Sequence, residues 1–367
     1  MNIGIMTLSA SDNCGSLLQA YALKLALEKY GNVEVINFSS IESHAMYDVP
    51  RYKGLKKFLF RKKIESLLKS SQDYKDFRKR YIGITGKEYF INDLNDLSDR
   101  YDVVVVGSDQ VWNVQMSDFS EAFFLSWSNS KKIAYAPSLG GAHLNRSNNY
   151  ACIKEWLNDF SFLSAREEIG RNCLEEVIRR NVSKVLDPTL IIDEKQWNQL
   201  VGEPLIKGDY IFYYSWAYCE KSTSKIVSKE SKRSKLPVYV IDPRKWISRN
   251  PSKWGFNLYE KSGPLVFLNL IKYANRVYVE SFHGMVFSYI FKKNYWLLDT
   301  HEKISELDSR LMEFVSLLNA RNRILTKYNA NKINQEEKVV YGNNELLDEL
   351  KIKSLGYLEE SFRGVEK

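Results

Sequence analysis

Apolar runs that break off into polar, turn-forming stretches recur along this chain, and they predict strands of a parallel sheet. Ile3-Gly4-Ile5-Met6-Thr7-Leu8 reads as the first strand, followed by the polar stretch Ser9-Ala10-Ser11-Asp12-Asn13-Cys14-Gly15-Ser16. Residues 17–30 then carry Leu18, Ala22 and Leu25 at helical spacing, with Gly31 placed to close that helix, and Val33-Glu34-Val35-Ile36-Asn37-Phe38 reads as the next strand. A strand, loop, helix and strand in this order imply parallel pairing. The pattern returns at Val103-Val104-Val105-Val106, which runs into Gly107-Ser108-Asp109, at Ile133-Ala134-Tyr135-Ala136 before Pro137-Ser138, and at Phe162-Leu163-Ser164-Ala165-Arg166. Functional groups of open α/β sheets gather at the C-terminal ends of strands.

Val185-Leu186-Asp187-Pro188-Thr189 punctuates the chain before an acidic helix containing Trp197. A second set of strands follows at Tyr210-Ile211-Phe212-Tyr213-Tyr214, Val238-Tyr239-Val240-Ile241, residues 277–280 and residues 295–298, and residues 345–358 read as an amphipathic helix with Leu346, Leu350 and Leu358 near one side. The predicted architecture is α/β, with two Rossmann-like domains and a central cleft. Residues 1–190 form the first domain, 191–330 the second and 331–367 a helical tail. No internal repeat beyond the two-sheet pattern and no low-complexity segment is present.

Composition adds limits. With 367 residues, 44% hydrophobic and 27% charged, the chain has ordinary globular values and room for two domains. Cys14, Cys152, Cys173 and Cys219 are scattered without a CxxC pair, so neither structural zinc nor a disulfide framework is expected, and a reducing cytoplasm fits. The N-terminus lacks a basic and then apolar leader pattern, and no run of about 18 apolar residues exists. The net charge of +8 is local: residues 51–80 hold 12 Lys/Arg against 3 Asp/Glu, while the remainder has 41 basic against 42 acidic residues. Within it, Lys56-Lys57-Phe58-Leu59-Phe60-Arg61-Lys62-Lys63 mixes cations with apolar residues, which suits an anionic membrane surface. No helix-turn-helix, zinc finger or RNP pattern supports nucleic acid as the partner, and a solvated helix face is the plainer reading.

The candidate chemistry sits at the strand ends. Val277-Tyr278-Val279 precedes Glu280-Ser281-Phe282-His283-Gly284 and a helix-like segment. A Ser and a Gly at such a turn leave backbone N–H groups that favour an anion, and His283 is placed to donate a proton to whatever carries it. The plainer reading makes Ser281 an N-cap and packs His283 against a neighbour. In Gly107-Ser108-Asp109-Gln110-Val111-Trp112-Asn113, Asp109 is a candidate to orient or deprotonate a sugar hydroxyl and Trp112 to stack on a sugar face, against capping and core packing. Asn13, Gly15, Ser16 and Gln19 form a polar helix start that is neither GxGxxG nor Walker A. Arg166 could hold an anion bidentately, or pair with Glu167 or Glu168.

Taken in order, residues 13–20, 101–113, 164–168, 185–191, 263–268 and 280–284 resemble the polysaccharide pyruvyl transferase family. The GSDQVWN and SFHG blocks are the most specific parts, and the resemblance spans residues 1–323. It implies a fold similar to GT-B glycosyltransferases, and transfer of a pyruvyl group from phosphoenolpyruvate to a sugar of a surface polysaccharide or its lipid-linked precursor, giving a ketal and phosphate. No cofactor or metal is implied, phosphoenolpyruvate being a co-substrate. By position, His283 is implied as general acid and Arg166 as a ligand of the donor's anionic groups, and Asp109 is the second catalytic residue, positioning the acceptor diol. Arg166, Ser281, Phe282, Gly284 and Arg310 fall on the donor side, and Asn13, Gly15, Ser16, Gln19, Ser108, Gln110 and Trp112 on the acceptor side. Some members read Ser-x-Arg-x-His where this chain has Val279-Glu280-Ser281-Phe282-His283, so an arginine is missing at Ser281, and Lys292, Arg310 and Arg323 are candidates to replace its charge. The alternatives are a nucleotide-sugar glycosyltransferase of the same fold and a non-catalytic sugar- or nucleic-acid-binding protein. The expected setting is the cytoplasm, at the inner face of the membrane.

Overall fold

The computed structural model describes residues 1–42, 61–141, 143–215, 218, 221–299, 309–335, 337–342 and 344–364. The strands are β1 Asn2–Met6, β2 Asn32–Val35, β3 Val103–Val106, β4 Lys131–Ala134, β5 Ser164–Ala165, β6 Ser183–Lys184, β7 Ile211–Tyr214, β8 Val238–Val240, β9 Phe256–Leu258, β10 Arg276–Val279, β11 Tyr295–Leu298 and β12 Ile324–Leu325. The α-helices are α1 Cys14–Leu27, α2 Arg61–Phe77, α3 Tyr150–Asn158, α4 Glu168–Ile178, α5 Pro188–Ile191, α6 Glu194–Leu200, α7 Lys221–Ser234, α8 Pro243–Arg249, α9 Pro264–Tyr273, α10 Phe282–Ile290, α11 Ser309–Leu317 and α12 Glu345–Phe362.

Every strand pair is parallel, in two sheets ordered β2-β1-β3-β4 and β12-β11-β10-β7-β8-β9, with β5 and β6 paired at the edge of β4 through a bridge from Ile133 to Phe162. Parallel strands need crossovers, and the helices that supply them cover both faces. The four valines of β3 are therefore all buried. Alternate residues divide between two cores. Ile3, Ile5, Val103 and Val105 join Phe212, Val277, Val279 and Leu297 in one continuous cluster between the sheets, whereas Met6, Val104 and Val106 face α3 and α4. The far side of the second sheet has its own core around Tyr213, Tyr278 and Trp296.

This is the expected pair of Rossmann-like units in a GT-B-like arrangement. The order of each sheet reverses once, between β1 and β3 in the first and between β7 and β10 in the second. Such switch points open crevices at the strand C-termini. Trp197 on α6 fixes one half to the other: it is fully buried, donates to the Thr189 carbonyl at 3.2 Å, and meets Tyr21 of α1 and Phe287 of α10 edge-on at 5.8 and 4.9 Å.

One expectation changes, and a second gains a place in the fold. The helix after β1 runs Cys14–Leu27, so Gly31 does not close it; a Cβ on Gly31 would stand 2.3 Å from the Met1 carbonyl oxygen, which accounts for the glycine. The segment expected as a helical tail returns to the first half: Tyr357 Oη donates to the Ala134 carbonyl at 2.8 Å, Ser354 Oγ accepts from Leu186 N at 2.8 Å, and Phe362 stacks on Tyr30 at 4.5 Å. Replacing the fully buried Leu358 of α12 with Ala is expected to cost about 2–5 kcal/mol in denaturant unfolding, against less than about 0.5 kcal/mol for Leu346→Ala on its exposed side. Equal small losses would mean that α12 adds little to the fold.

Candidate active site

The polar ends of β1, β3 and β10 meet in one seam between the halves. Asn13 caps α1, its Oδ1 accepting from Gly15 N at 2.9 Å and Ser16 N at 3.2 Å. Ser16 Oγ donates to Asp109 Oδ2 at 2.7 Å, across 93 residues of sequence. Asp109 sits at φ +66 after a cis Gly107–Ser108 bond, and Gly107 at φ +120 lies so close to Tyr135 O that a Cβ would be 2.0 Å from it. From the second half, Ser281 caps α10 by accepting from Gly284 N at 3.1 Å, which leaves the amides of Phe282 and His283 as first-turn donors. Gly284 has no room for a side chain, because a Cβ would stand 2.7 Å from Ser281 Oγ and 2.8 Å from Val279 Cγ1.

His283, only 8% exposed, reaches across the seam. A Cβ at Gly15 would lie 2.3 Å from its Nδ1, so the imidazole rests on the backbone of α1. Nε2 turns the other way, 3.4 Å from Asp187 Oδ2, and has no hydrogen-bond partner. Arg310 of α11 stands 3.8 Å from Asp109 Oδ1, and the Gln110 amide oxygen, facing it, accepts from Nη1 and Nη2 at 2.7 Å each.

Arg166 is buried and mostly spent within the protein. Nε donates to Glu167 Oε1 and Nη1 to Asp187 Oδ2, both at 2.6 Å, and the guanidinium lies 4.6 Å from the Phe282 ring centre. Nη2 alone is left without a partner. Burial works against its charge, but Glu167, Asp187 and Asp109 outweigh that and hold it above the usual arginine range. The expected open, bidentate anion ligand is thus corrected: the fork is already occupied by carboxylates.

Three acceptor-side expectations are corrected as well. Trp112 is fully buried, donates to the Phe123 carbonyl at 3.0 Å and stacks on Phe124 at 5.5 Å, so no ring face is left for a sugar. Gln19 is fully buried, with its amide donating to Thr7 Oγ1 and Ser16 O at 2.8 Å and accepting from Ser108 N at 3.0 Å. Ser108, also fully buried, donates to the Ala136 carbonyl at 2.8 Å. These two hold the β1 and β3 loops together. Of the candidates for the charge missing at Ser281, Arg310 stands in the seam. Lys292 pairs with Glu194 at 3.5 Å, and Arg323 donates to the carbonyls of Glu337 and Lys338 over Trp296.

Sequence reasoning passed over Asp187. It is fully enclosed, and its Oδ1 accepts from Thr189 N and Oγ1 at 3.0 and 2.6 Å. Burial would raise its pKa, but His283, Arg166 and the Thr189 bond hold the carboxyl well below the usual range. Its signal was an Asp-Pro-Thr at the end of an apolar run. Asp12 was also missed: it accepts from Arg78 at 2.7 Å and from Arg244 of the second half at 3.0 Å, pinning the β1–α1 loop across the seam. Next to the cluster, a cavity of about 430 Å³ is lined by Arg166, Phe282, Arg310, Phe314 and Leu350. Among the described residues, no group of three His, Cys, Asp or Glu side chains is gathered as for a metal ion.

The sequence model of the family described as polysaccharide pyruvyl transferase matches residues 13–302. Among curated proteins no relative matches the sequence. Similar solved structures include UDP-GlcNAc 2-epimerase from Methanocaldococcus jannaschii, with 15% identity over 94% of this chain and 95% of that one at a TM-score of 0.54. UDP-N-acetylglucosamine 2-epimerase from Rickettsia bellii is 8% identical over 99% and 96%, at 0.53. The S. aureus MnaA–UDP structure is 13% identical over 95% and 93%, also at 0.53. At these identities the likeness is one of fold.

Ala is the better helix former at position 15, by about 0.5–1 kcal/mol, so any loss on Gly15→Ala reports the contact with His283. We expect a net loss of at least about 1 kcal/mol in thermal or denaturant unfolding, largely recovered in Gly15→Ala/His283→Ala. Additive effects of the two changes would show that the seam is not closed by this contact.

Proposed function

The chain belongs to the polysaccharide pyruvyl transferase family, and from that premise we propose that it moves the pyruvyl group of phosphoenolpyruvate onto two hydroxyls of one sugar. The observation that carries this reading is the convergence of His283 from one half on Gly15, Ser16 and Asp109 from the other. Phosphoenolpyruvate becomes electrophilic at C2 when its methylene carbon takes a proton, and His283 supplies it. A sugar hydroxyl positioned by Asp109 adds to C2 and passes its proton to the Asp109 carboxylate. The second hydroxyl then displaces phosphate and closes the ketal, with its proton leaving on the phosphate side. The products are a pyruvate ketal, whose methylene has become methyl, and inorganic phosphate.

Arg310 takes the place of the arginine that is missing at Ser281, because it is the candidate that lies beside Asp109 and Gln110. With the first-turn amides of α10 and Arg166 Nη2, it provides for the donor's phosphate and carboxylate. Since His283 rests on Gly15, the donor enters when the halves part, and closure afterwards excludes water. Asn13, Ser16 and Gln110 border the acceptor side.

The acceptor we propose is a lipid-linked precursor, met at the cytoplasmic face of the membrane. Support comes from α2. Its inner side, Leu67, Tyr74 and Phe77, is buried, and Tyr74 Oη lies 3.1 Å from Cys14 Sγ at the start of α1. The outer side presents Arg61, Lys62, Lys69 and Lys75, with Leu68 54% exposed, and Lys79 and Arg80 continue it. Residues 51–60, with Lys56, Lys57, Phe58, Leu59 and Phe60, lie outside the described residues, as does the side chain of Lys63. Among the described residues no helix is long and apolar enough to cross a membrane.

Phosphate release from phosphoenolpyruvate in the presence of candidate sugars tests the reading. In that assay His283→Gln is expected to lower kcat by about 10²-fold or more with donor binding retained. Arg310→Gln should instead raise the KM for phosphoenolpyruvate, by roughly 10-fold for one charge-assisted contact. Near-normal kcat for His283→Gln would take it out of the chemistry. Each cation at an anionic leaflet contributes about 1 kcal/mol, so the protein should sediment with anionic but not neutral vesicles, and release in high salt. Gln at Arg61, Lys62, Lys69 and Lys75 should weaken this while sparing turnover of a water-soluble acceptor. Equal sedimentation with both vesicle types would leave α2 as a solvated face.

A further inference from the structure

We propose that Asp187 is the residue that orients His283, acting with it as a carboxylate–imidazole pair, and that Nδ1 is therefore the ring nitrogen turned toward the donor. The general-acid part of this inference rests on the pyruvyl-transfer reading, whereas the pairing itself stands on geometry.

Asp187 Oδ2 is 3.4 Å from His283 Nε2 and accepts from Arg166 Nη1 at 2.6 Å, with Ser108 Oγ also at 3.4 Å. Its other oxygen is held by Thr189, whose N and Oγ1 both donate to it. The carboxylate therefore cannot swing to another partner, since Thr189, Arg166 and Ser108 fix its plane. The imidazole is held as firmly. Its edge meets the Phe282 ring at 5.1 Å, and Gly15 closes over its Nδ1 side. A buried Nε2 without a hydrogen-bond partner is costly, and Asp187 stands before it. Catalytic hydrogen bonds are often long in the free protein and shorten in the complex, so a separation of 3.4 Å suits a pair that tightens when the ring carries a proton.

Two consequences follow. With Nε2 turned to Asp187, the proton is delivered from Nδ1, on the side of Gly15, Ser16 and Asp109. The ring also cannot flip without losing the approach of Nε2 to Asp187. The other charged groups of the seam include Arg166 and Glu167 beside Asp187, Asp109 beyond Ser16, Arg310 of α11, the trio of Asp12, Arg78 and Arg244, and the pair Lys184 and Glu313.

The test follows the imidazole signals of the four histidines by NMR across pH, assigning His283 from its loss in His283→Gln. In Asp187→Asn, which keeps the side chain's volume and an oxygen for Thr189, the His283 midpoint should fall by about one pH unit or more. Where turnover is measurable, the pH above which kcat declines should move down with it. If Asp187→Asn does not fold, Arg166→Gln/Glu167→Gln/Asp187→Asn removes the whole buried unit, a net loss of one negative charge, and the midpoint should fall in the same direction. An unchanged His283 midpoint in the folded variant overturns the pairing. This readout needs no substrate, so a wild-type protein that releases no phosphate from phosphoenolpyruvate would remove the pyruvyl reading, while the midpoint would still decide the role of Asp187.

Discussion

A guanidinium shut away from water has to be matched by carboxylates, and the seam of this protein is organised by that requirement at Arg166. Its side chain is 4% exposed, as is nearly true of Glu167, and Asp187 is fully enclosed. Removing one member of such a group leaves an unpaired buried charge, so the three behave as a unit. The unit spends most of its hydrogen-bonding capacity on itself. What it leaves over is directional: Arg166 Nη2 and the face of Asp187 that His283 meets. The same carboxylate thus completes a structural ion pair and addresses a titratable ring from the other half of the molecule.

This cluster can exist only because both sheets are parallel. Parallel pairing sends every strand's C-terminal end to the same edge, and the reversal of strand order at β1/β3 and at β7/β10 opens a crevice there in each sheet. The continuous core between the sheets, with Trp197 wedged between α1 and α10, then holds one crevice against the other. Helix α12 returns from the second half to cover β4, which ties the end of the chain to its first domain. Around this rigid middle the contacts nearest the cleft are polar. Asp12 with Arg78 and Arg244 is one, and Lys184 with Glu313 is another. Polar contacts of this kind are more easily exchanged for water than the buried aromatic packing behind them.

Much of the fold was legible because period and composition are local properties. Four valines ending in Gly-Ser-Asp, and Val277-Tyr278-Val279 ending in Glu-Ser, announce buried strands with polar ends without reference to the rest of the chain. The cap at Ser281 was legible for the same reason. The site was less so. Trp112 and Gln19 stand in motifs rich in hydrogen-bonding groups, and nothing within a few residues tells a core side chain from one facing a ligand. What decides is the neighbour in space: Phe123 and Phe124 for Trp112, and Thr7 and Ser108 for Gln19. Asp187 was hidden in the opposite way. Asp-Pro-Thr reads as a helix start, which it is, since Asp187 caps α5. Its second oxygen serves Arg166, 21 residues earlier in the chain, and meets His283 far along it.

The burial of the seam also constrains how it can work. His283 is covered by Gly15 on its Nδ1 side and by Asp187 on its Nε2 side, so the arrangement seen here is a closed one. For the proposed donor, phosphoenolpyruvate, the charged groups of the seam would gain little from being assembled in water, where charges 4 Å apart interact by only about 1 kcal/mol. Brought together after the donor enters and water leaves, the same charges act in a medium of much lower effective dielectric. A glycine at position 15 lets the halves approach closely enough for this. A fixed Asp187 sets the ring's orientation each time they close. The glycine and the carboxylate lie at helix starts, on α1 and just before α5, where backbone caps hold them in register with the sheet behind. Closure then orients the histidine against a carboxylate that is already in place.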